Sequence, residues 1–234
     1  MTDPTLPTLV LLPGMACDAE LYRHQVGALQ HGGALVVADV HQRAESLPAM
    51  VELLLDEVPG ELLLAGCSLG GMLALEAWRQ APQRVRGLAI LGSTARADTP
   101  DVIALRSQAC ELFAQGRMEE VLRVNAAFAF EVSHVRALLP DYLAMMFRCG
   151  AERLIRQNRA VMAREDLRPM LPTVDCPTLV VGGLNDALTP PELSREIATA
   201  IPGARLDLLP QCGHMLAWEQ PEALNLLLNG WLAR

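Results

Sequence analysis

The chain has 234 residues, 51% of them hydrophobic and 20% charged, a globular composition that is long enough for one domain with a sizeable buried core. Its formal net charge of −8 argues against a nucleic-acid-binding surface, because such a surface needs clustered positive charge. The N-terminal apolar run is too short for a signal peptide or a membrane span, and the six cysteines are scattered without a CxxC pair. We therefore expect a cytoplasmic protein with reduced thiols that acts on a small molecule, without metal, other cofactor, nucleic acid or membrane. The sequence leaves the oligomeric state open.

Short apolar runs alternate with longer helical patterns along most of the chain. Near-continuous apolar runs are typical of strands buried on both faces, and their alternation with helices favours a parallel sheet. The predicted strands cover residues 8–12, 34–40, 61–66, 85–91, 178–182 and 204–209. The predicted helices cover residues 19–29, 47–58, 69–80, 191–200 and 221–232. The sequence therefore predicts an α/β fold with a mostly parallel sheet of about six strands and helices on both faces.

One long segment, residues 98–168, breaks this alternation, because it has helical periodicity and no strand-like run. It comes after the fourth predicted strand, so it would lie over the carboxyl ends of the strands, where open α/β sheets bind ligands. We interpret residues 98–168 as a helical cap insertion, and residues 1–97 and 169–234 as the core.

The sequence G-C-S-L-G at residues 66–70 predicts a nucleophile at Ser68. It matches G-x-S-x-G between a predicted strand and a predicted helix, where a sharp turn lifts the serine hydroxyl clear of the sheet. Residues two before and two after the serine crowd together, which explains glycine at Gly66 and Gly70. The thiol of Cys67 is a rival nucleophile, but a buried cysteine has a raised pKa and is inert. We therefore expect Ser68 to be the nucleophile.

A serine nucleophile needs a base, and the base needs an orienting acid. Of the five histidines, His214 comes directly after the last predicted strand in a glycine-containing loop, and Asp186 comes after the penultimate strand. Each alone has an ordinary alternative interpretation, a surface-loop histidine and a turn aspartate. The chain order Ser68, Asp186, His214 is that of α/β-hydrolases, which favours a catalytic triad.

The oxyanion hole needs two backbone donors beside the nucleophile. Leu69 comes directly after Ser68 at the start of a predicted helix, whose partial positive charge favours a developing oxyanion. Pro13-Gly14-Met15 comes after the first predicted strand. We assign the backbone N–H groups of Met15 and Leu69 as the donors; the alternative is that this loop is a simple strand-exit turn.

Four segments carry a resemblance to a known family: LVLLPGMACDAELYRHQ, LLLAGCSLGGMLALEAWRQAPQRVRGLAILGS, CPTLVVGGLNDALTPP and IPGARLDLLPQCGHMLAWEQPEALN. The chain resembles the α/β-hydrolase fold superfamily, in particular the small bacterial hydrolases that include enol-lactonases and carboxylesterases. The resemblance implies the same roles: Ser68 as nucleophile, His214 as base, Asp186 as orienting acid, and a helical cap. The chain departs from the family in two places. The stretch before the first predicted strand is too short for the usual N-terminal antiparallel hairpin, so we expect a trimmed sheet, and ADVHQRAESLP stands where relatives often carry a D-x-x-G-x-G loop.

Three functions fit these residues. The leading hypothesis is a serine hydrolase that cleaves a carboxylic ester or lactone through an acyl-enzyme. A second is a lyase like those of menaquinone biosynthesis on this scaffold, in which the histidine–serine pair removes a proton without an acyl-enzyme. A third is a receptor that only binds its ligand, because fold does not fix function.

The cap insertion supplies candidates for substrate contacts, although we expect most of them to be structural. Its large apolar side chains are more typical of a helical core, and its arginines of a solvated helix face. The apolar candidates are Phe113, Phe128, Phe130, Met145, Met146 and Phe147. The arginines are Arg148, Arg153, Arg156, Arg159, Arg164 and Arg168, any of which could pair with a substrate carboxylate if it faced inward.

Overall fold

A computed structural model describes residues 6–234 as a six-stranded, all-parallel sheet with helices on both faces. The strands are β1 (Thr8–Leu12), β2 (Leu35–Val37), β3 (Leu62–Cys67), β4 (Val85–Leu91), β5 (Thr178–Gly183) and β6 (Arg205–Leu209). Their order in the sheet is β2-β1-β3-β4-β5-β6. Strands β2 and β3 therefore lie on opposite sides of β1, so the strand order reverses there, and a ligand crevice is expected between the ends of β1 and β3. The predicted fold class is confirmed.

Nine α-helices connect or follow these strands in the described part of the chain. They are α1 (Leu47–Glu57), α2 (Leu69–Gln80), α3 (Pro100–Ala114), α4 (Met118–Asn125), α5 (Val132–Cys149), α6 (Ala151–Met162), α7 (Pro191–Ala200), α8 (Leu216–Glu219) and α9 (Pro221–Leu232). Local sequence explains several starts: Ser46 caps α1 by accepting from the Ala49 N–H, and proline occupies the first turn of α7 and α9. Within residues 6–234, none of the helices has the length and apolarity needed to cross a membrane.

Two predicted elements differ from the structure. The helix predicted over residues 19–29 is instead a 3-10 helix, Ala19–Tyr22, succeeded by hydrogen-bonded turns. The Tyr22 hydroxyl donates to the Leu12 carbonyl at 2.8 Å, so the buried Tyr22 side chain fixes the first turn. Gly27 lowers the helix propensity of the residues that follow Tyr22. Strand β2 spans three residues rather than seven, because Val40–Gln42 form a 3-10 helix at this sheet edge.

The strands alternate their side chains between two hydrophobic layers. Leu9 and Leu11 of β1 face a layer that includes the C-terminal helix α9 and apolar side chains of the cap insertion. Val10 and Leu12 face the opposite layer, formed with α1, α2 and α7. Burial on both faces explains the near-continuous apolar strands of the sequence.

Helices α3 to α6 all lie between β4 and β5, within the segment predicted to be the cap insertion, and no strand occurs among them. Phe113, Phe130, Met145 and Met146 are buried in the hydrophobic layer, whereas Phe128 is 59% exposed. Most of the large apolar side chains of this segment therefore pack as core. The boundaries between core and cap insertion stay a prediction.

Candidate active site

Ser68 lies on a strained turn between β3 and α2. Its backbone has φ 54° and ψ −114°, and its N–H donates to the Leu91 carbonyl of β4 at 2.9 Å. A Cβ atom on Gly66 would lie 2.1 Å from the Gly70 carbonyl oxygen, and one on Gly70 would lie 1.9 Å from the Leu12 carbonyl oxygen. Glycine is therefore required on both sides of Ser68. A non-glycine residue held at positive φ costs about 1–3 kcal/mol, and such strain clusters at functional sites.

Cys67, the rival of Ser68, is buried below the turn with 2% of its surface exposed. Burial, together with the negative charge of Asp186, raises the pKa of its thiol to about 12. The thiol is therefore protonated at neutral pH and packs in the hydrophobic layer.

His214 and Asp186 form a buried pair on neighbouring strand ends. His214 Nδ1 lies 2.8 Å from Asp186 Oδ2 and 3.1 Å from the Thr189 hydroxyl oxygen. Because an ionised carboxylate only accepts hydrogen bonds, Nδ1 carries the proton in the neutral imidazole, and the lone pair is on Nε2. This is the tautomer that a general base requires.

Asp186 is held by its own loop. Its Oδ1 accepts from the backbone N–H groups of Leu188 and Thr189, both at 2.8 Å, and its Oδ2 accepts from the Thr189 hydroxyl at 2.7 Å. Burial alone raises the pKa of Asp186, but interaction with His214 and the hydrogen bonds from Thr189 outweigh it and hold the pKa below the ordinary value. The carboxylate is therefore ionised at neutral pH.

Ser68 and the His214–Asp186 pair meet around the end of β4. The Ser68 N–H is bonded to Leu91, and at the next residue, Gly92, a Cβ atom would lie 3.4 Å from Asp186 Oδ2 and 3.5 Å from His214 Nδ1. Among residues 6–234, neither Ser68 Oγ nor His214 Nε2 has a hydrogen-bond partner, and neither atom is fully shielded from solvent. Catalytic hydrogen bonds often tighten only when substrate binds.

The two predicted oxyanion donors lie on either side of the crevice between β1 and β3. A Cβ atom on Gly14 would lie 3.4 Å from the Ser68 Cβ, which puts the Met15 loop directly beside the nucleophile. Leu69 is the first residue of α2. Within the described residues, neither the Met15 nor the Leu69 N–H is used in a backbone hydrogen bond, so both are free to bind an oxyanion.

Glu219 is a supporting residue that the sequence reasoning missed. Its side chain is fully buried. Its Oε1 accepts from the N–H groups of Gly213 and Met215 at 3.0 and 3.1 Å, on either side of the histidine. Its Oε2 accepts from the Glu131 N–H at 2.7 Å and faces His134 Nδ1 at 3.1 Å, both in the cap insertion. The sequence feature that could have revealed Glu219 is an acidic residue in the otherwise apolar stretch MLAWE.

The arginines of the cap insertion mostly have partners within the protein. Arg164 pairs with buried Asp98 at 2.8 Å, and Arg156 donates to the Gln42 carbonyl at 2.8 Å. Arg148 pairs with Asp18 at 2.9 Å. These contacts favour the structural interpretation. No three His, Cys, Asp or Glu side chains in the described chain are grouped as a metal site would require.

The fold and the site together define a class: an α/β enzyme with a serine on a strand–turn–helix elbow after β3 and a histidine–aspartate pair after β5 and β6. The chain belongs to the alpha/beta hydrolase family, whose sequence model matches residues 9–225. It is 29% identical over 238 residues to the pimeloyl-[acyl-carrier protein] methyl ester esterase of Nitrosomonas europaea, covering 92% of each chain.

Two solved structures are also similar. A thermophilic esterase from Thermogutta terrifontis has a TM-score of 0.85 and 25% identity over 98% of this chain and 90% of that one. The enol-lactonase from Burkholderia xenovorans has a TM-score of 0.85 and 23% identity, covering 98% of this chain and 92% of that one, which shows the shared fold. The predicted resemblance is confirmed: the chain is a member of the alpha/beta hydrolase family, and its similarity to esterases supports a hydrolase.

Proposed function

We propose that this protein is a serine hydrolase that cleaves a small carboxylic ester or lactone through an acyl-enzyme on Ser68. The observation that carries the proposal is the 2.8 Å bond between His214 Nδ1 and Asp186, which fixes the neutral tautomer whose Nε2 can accept a proton from Ser68. The similarity to two proteins named esterases supports an ester bond as the target.

In the first step, Ser68 Oγ attacks the carbonyl carbon while its proton moves to His214 Nε2. The carbonyl oxygen becomes an oxyanion that accepts from the Met15 and Leu69 N–H groups, each donor being worth about 2.7–4 kcal/mol in such sites. Asp186 stabilises the imidazolium that forms. The C–O bond to the leaving alcohol then breaks, and His214 returns the proton to the alcohol oxygen.

In the second step, water attacks the Ser68 ester. His214 takes a proton from the water, the same two N–H groups hold the second oxyanion, and the Oγ–carbon bond breaks. The acid leaves, and Ser68 regains its proton from His214. With a lactone, the released alcohol and acid are one molecule, so the chemistry is unchanged.

A fluorophosphonate probe tests the nucleophile. The wild-type protein is expected to be labelled, Ser68→Ala is expected to lose labelling, and Cys67→Ala, the matched control beside it, is expected to keep it. Equal labelling of Ser68→Ala and wild type would overturn the assignment. A panel of p-nitrophenyl esters of increasing chain length, with lactones and thioesters, would then define the acyl group.

The lyase hypothesis uses the same residues and stays open. In that reaction His214 and Ser68 remove a proton, and no acyl group is transferred to the enzyme. A receptor that only binds would turn over none of the esters in the panel, which separates the third hypothesis from the hydrolase, and accumulation of an acyl-enzyme separates the hydrolase from the lyase.

A further inference from the structure

A buried amide from the cap insertion reaches the loop that carries the Met15 N–H. Gln157 lies on α6 and is 0% exposed. Its Oε1 accepts from the Ala16 N–H at 2.9 Å, and its Nε2 donates to the His41 carbonyl at 3.1 Å. Both ends of the side chain are therefore bonded to loops at the ends of core strands, Ala16 after β1 and His41 after β2.

The Gln157 bond holds a strained loop. Ala16 has φ 59°, in the left-handed region that costs an L-residue about 1–2 kcal/mol. Its N–H belongs to the peptide unit directly after the Met15 Cα, and the Met15 N–H belongs to the unit directly before it. Fixing the direction of the Ala16 N–H therefore restricts the direction of the Met15 N–H.

His41 holds the next residue of the same loop. Its Nε2 lies 2.8 Å from the Cys17 carbonyl oxygen, and since a carbonyl only accepts, Nε2 carries the proton. Burial lowers the pKa of His41, so the ring is neutral at neutral pH. Gln157 binds the His41 backbone, and the His41 ring binds Cys17. The loop from Gly14 to Cys17 is thus bonded at the two residues that follow Met15 to a network that ends in the cap insertion.

We propose that Gln157 is a positioning residue for the oxyanion hole, through which the cap insertion sets the direction of the Met15 N–H. This inference rests on the proposed function, because it requires an oxyanion beside Ser68. Its effect falls on the transition state, in which the oxyanion exists, and not on the bound ester. A donor misplaced by about 1 Å lowers the rate by up to about 100-fold.

The test is Gln157→Met, which keeps the length of the side chain and removes both hydrogen bonds. The matched control is Asp141→Asn, which weakens a different contact between the cap insertion and the core, the exposed 3.1 Å pair with Arg23. Activity is expressed per active site, titrated with fluorophosphonate. We expect kcat of Gln157→Met to fall about 10- to 100-fold with KM within about twofold of wild type.

Two further readouts separate positioning from general destabilisation. Phenylboronic acid forms a tetrahedral adduct on a serine, so its affinity is expected to fall by the same factor as kcat. The pH at which activity reaches half its maximum is expected to stay unchanged, because His214 is not touched. Backbone hydrogen exchange at residues 14–17 is expected to increase in Gln157→Met and not in the control.

A kcat and a boronic acid affinity within about twofold of wild type would overturn the inference while leaving the proposed function intact. An equal loss of kcat in Asp141→Asn would also overturn it, because the effect would then accompany any loosened contact. If Gln157→Met does not fold, Gln157→Asn keeps the amide but is one methylene too short to bridge both loops, and the same outcomes apply. A wild-type protein that turns over no ester would overturn the proposed function, and this inference with it.

Discussion

The sheet core and the cap insertion contribute different things to the same site. The core supplies the groups that we propose to react, Ser68 after β3, Asp186 after β5 and His214 after β6. The cap insertion supplies hydrogen bonds that hold those loops: Gln157 binds Ala16, and the Ala129 carbonyl accepts from the His214 N–H at 2.9 Å. The core therefore carries the proposed reacting side chains, and the cap insertion carries hydrogen-bond partners that position their loops. Substitution of the proposed reacting residues in the core is expected to abolish the reaction, whereas substitution of the cap residues that hold the loops is expected to slow it.

The core side of the comparison gives the largest expected effect. In Asp186→Asn the side chain no longer fixes the His214 tautomer or stabilises the imidazolium, so kcat is expected to fall about 10⁴-fold. Steady-state kinetics on a p-nitrophenyl ester measure it. Asp207→Asn, an aspartate on β6 that pairs with Arg205, is the control and is expected to be unchanged. A loss of less than tenfold in Asp186→Asn would show that Asp186 is not the orienting acid.

The same division explains what could be predicted from the sequence. The proposed catalytic residues lie at strand ends in a fixed order, and the elbow glycines are required because a Cβ atom there would clash, so local patterns reveal them. Gln157 lies in an arginine-rich helix, where nothing local distinguishes it from a surface residue, because its role depends on packing against Ala16. His41 likewise lies in the loop that departs from the family pattern. The prediction of a helix over residues 19–29 was wrong for the same reason, a dependence on packing, because burial of Tyr22 outweighed the local helix propensity.

A substitution at the elbow tests whether the close backbone contacts around Ser68 require glycine. Gly70→Ala would bring a Cβ atom to 1.9 Å from the Leu12 carbonyl oxygen, and we expect a loss of about 3 kcal/mol or more in the free energy of unfolding, or no folded protein. Gly230→Ala is the matched control, because it also lies in a helix but has nothing within 4 Å. It is expected to stabilise the protein by about 0.5–1 kcal/mol. Urea unfolding of both variants checks this, and a Gly70→Ala protein of wild-type stability would contradict the elbow geometry.

Glu219 lies on the boundary between the two regions and sharpens the comparison. In Glu219→Gln an NH₂ group replaces either Oε1, which accepts from the N–H groups of Gly213 and Met215, or Oε2, which accepts from the Glu131 N–H. We expect a loss of about 1–3 kcal/mol in the free energy of unfolding, because a buried donor is left unpaired. Urea unfolding measures this loss, with the exposed Glu222→Gln as control. Unchanged stability would mean that the Glu219 contacts do not hold the histidine loop.

The smallest expected effect is a pH dependence of stability through His41. Because burial lowers its pKa in the folded state, the unfolded chain binds the proton more readily once the pH falls below about 6.5. Stability is therefore expected to be full above pH 6.5 and to fall below it, by at most about 1.4 kcal/mol per pH unit from this residue. The difference between wild type and His41→Gln, measured by urea unfolding at pH 7.5 and 5.5, isolates the contribution. An equal pH dependence in both proteins would contradict it.

The most direct test of the central claim is whether the acyl group of an ester is transferred to Ser68. Acid-quenched reactions with p-nitrophenyl acetate, analysed by mass spectrometry, are expected to show the protein heavier by one acetyl group. The group is expected on the peptide that contains residues 66–70, to persist in Cys67→Ala, and to be absent in Ser68→Ala. Turnover of the ester without any acyl-enzyme, or acetylation that survives in Ser68→Ala, would contradict the account.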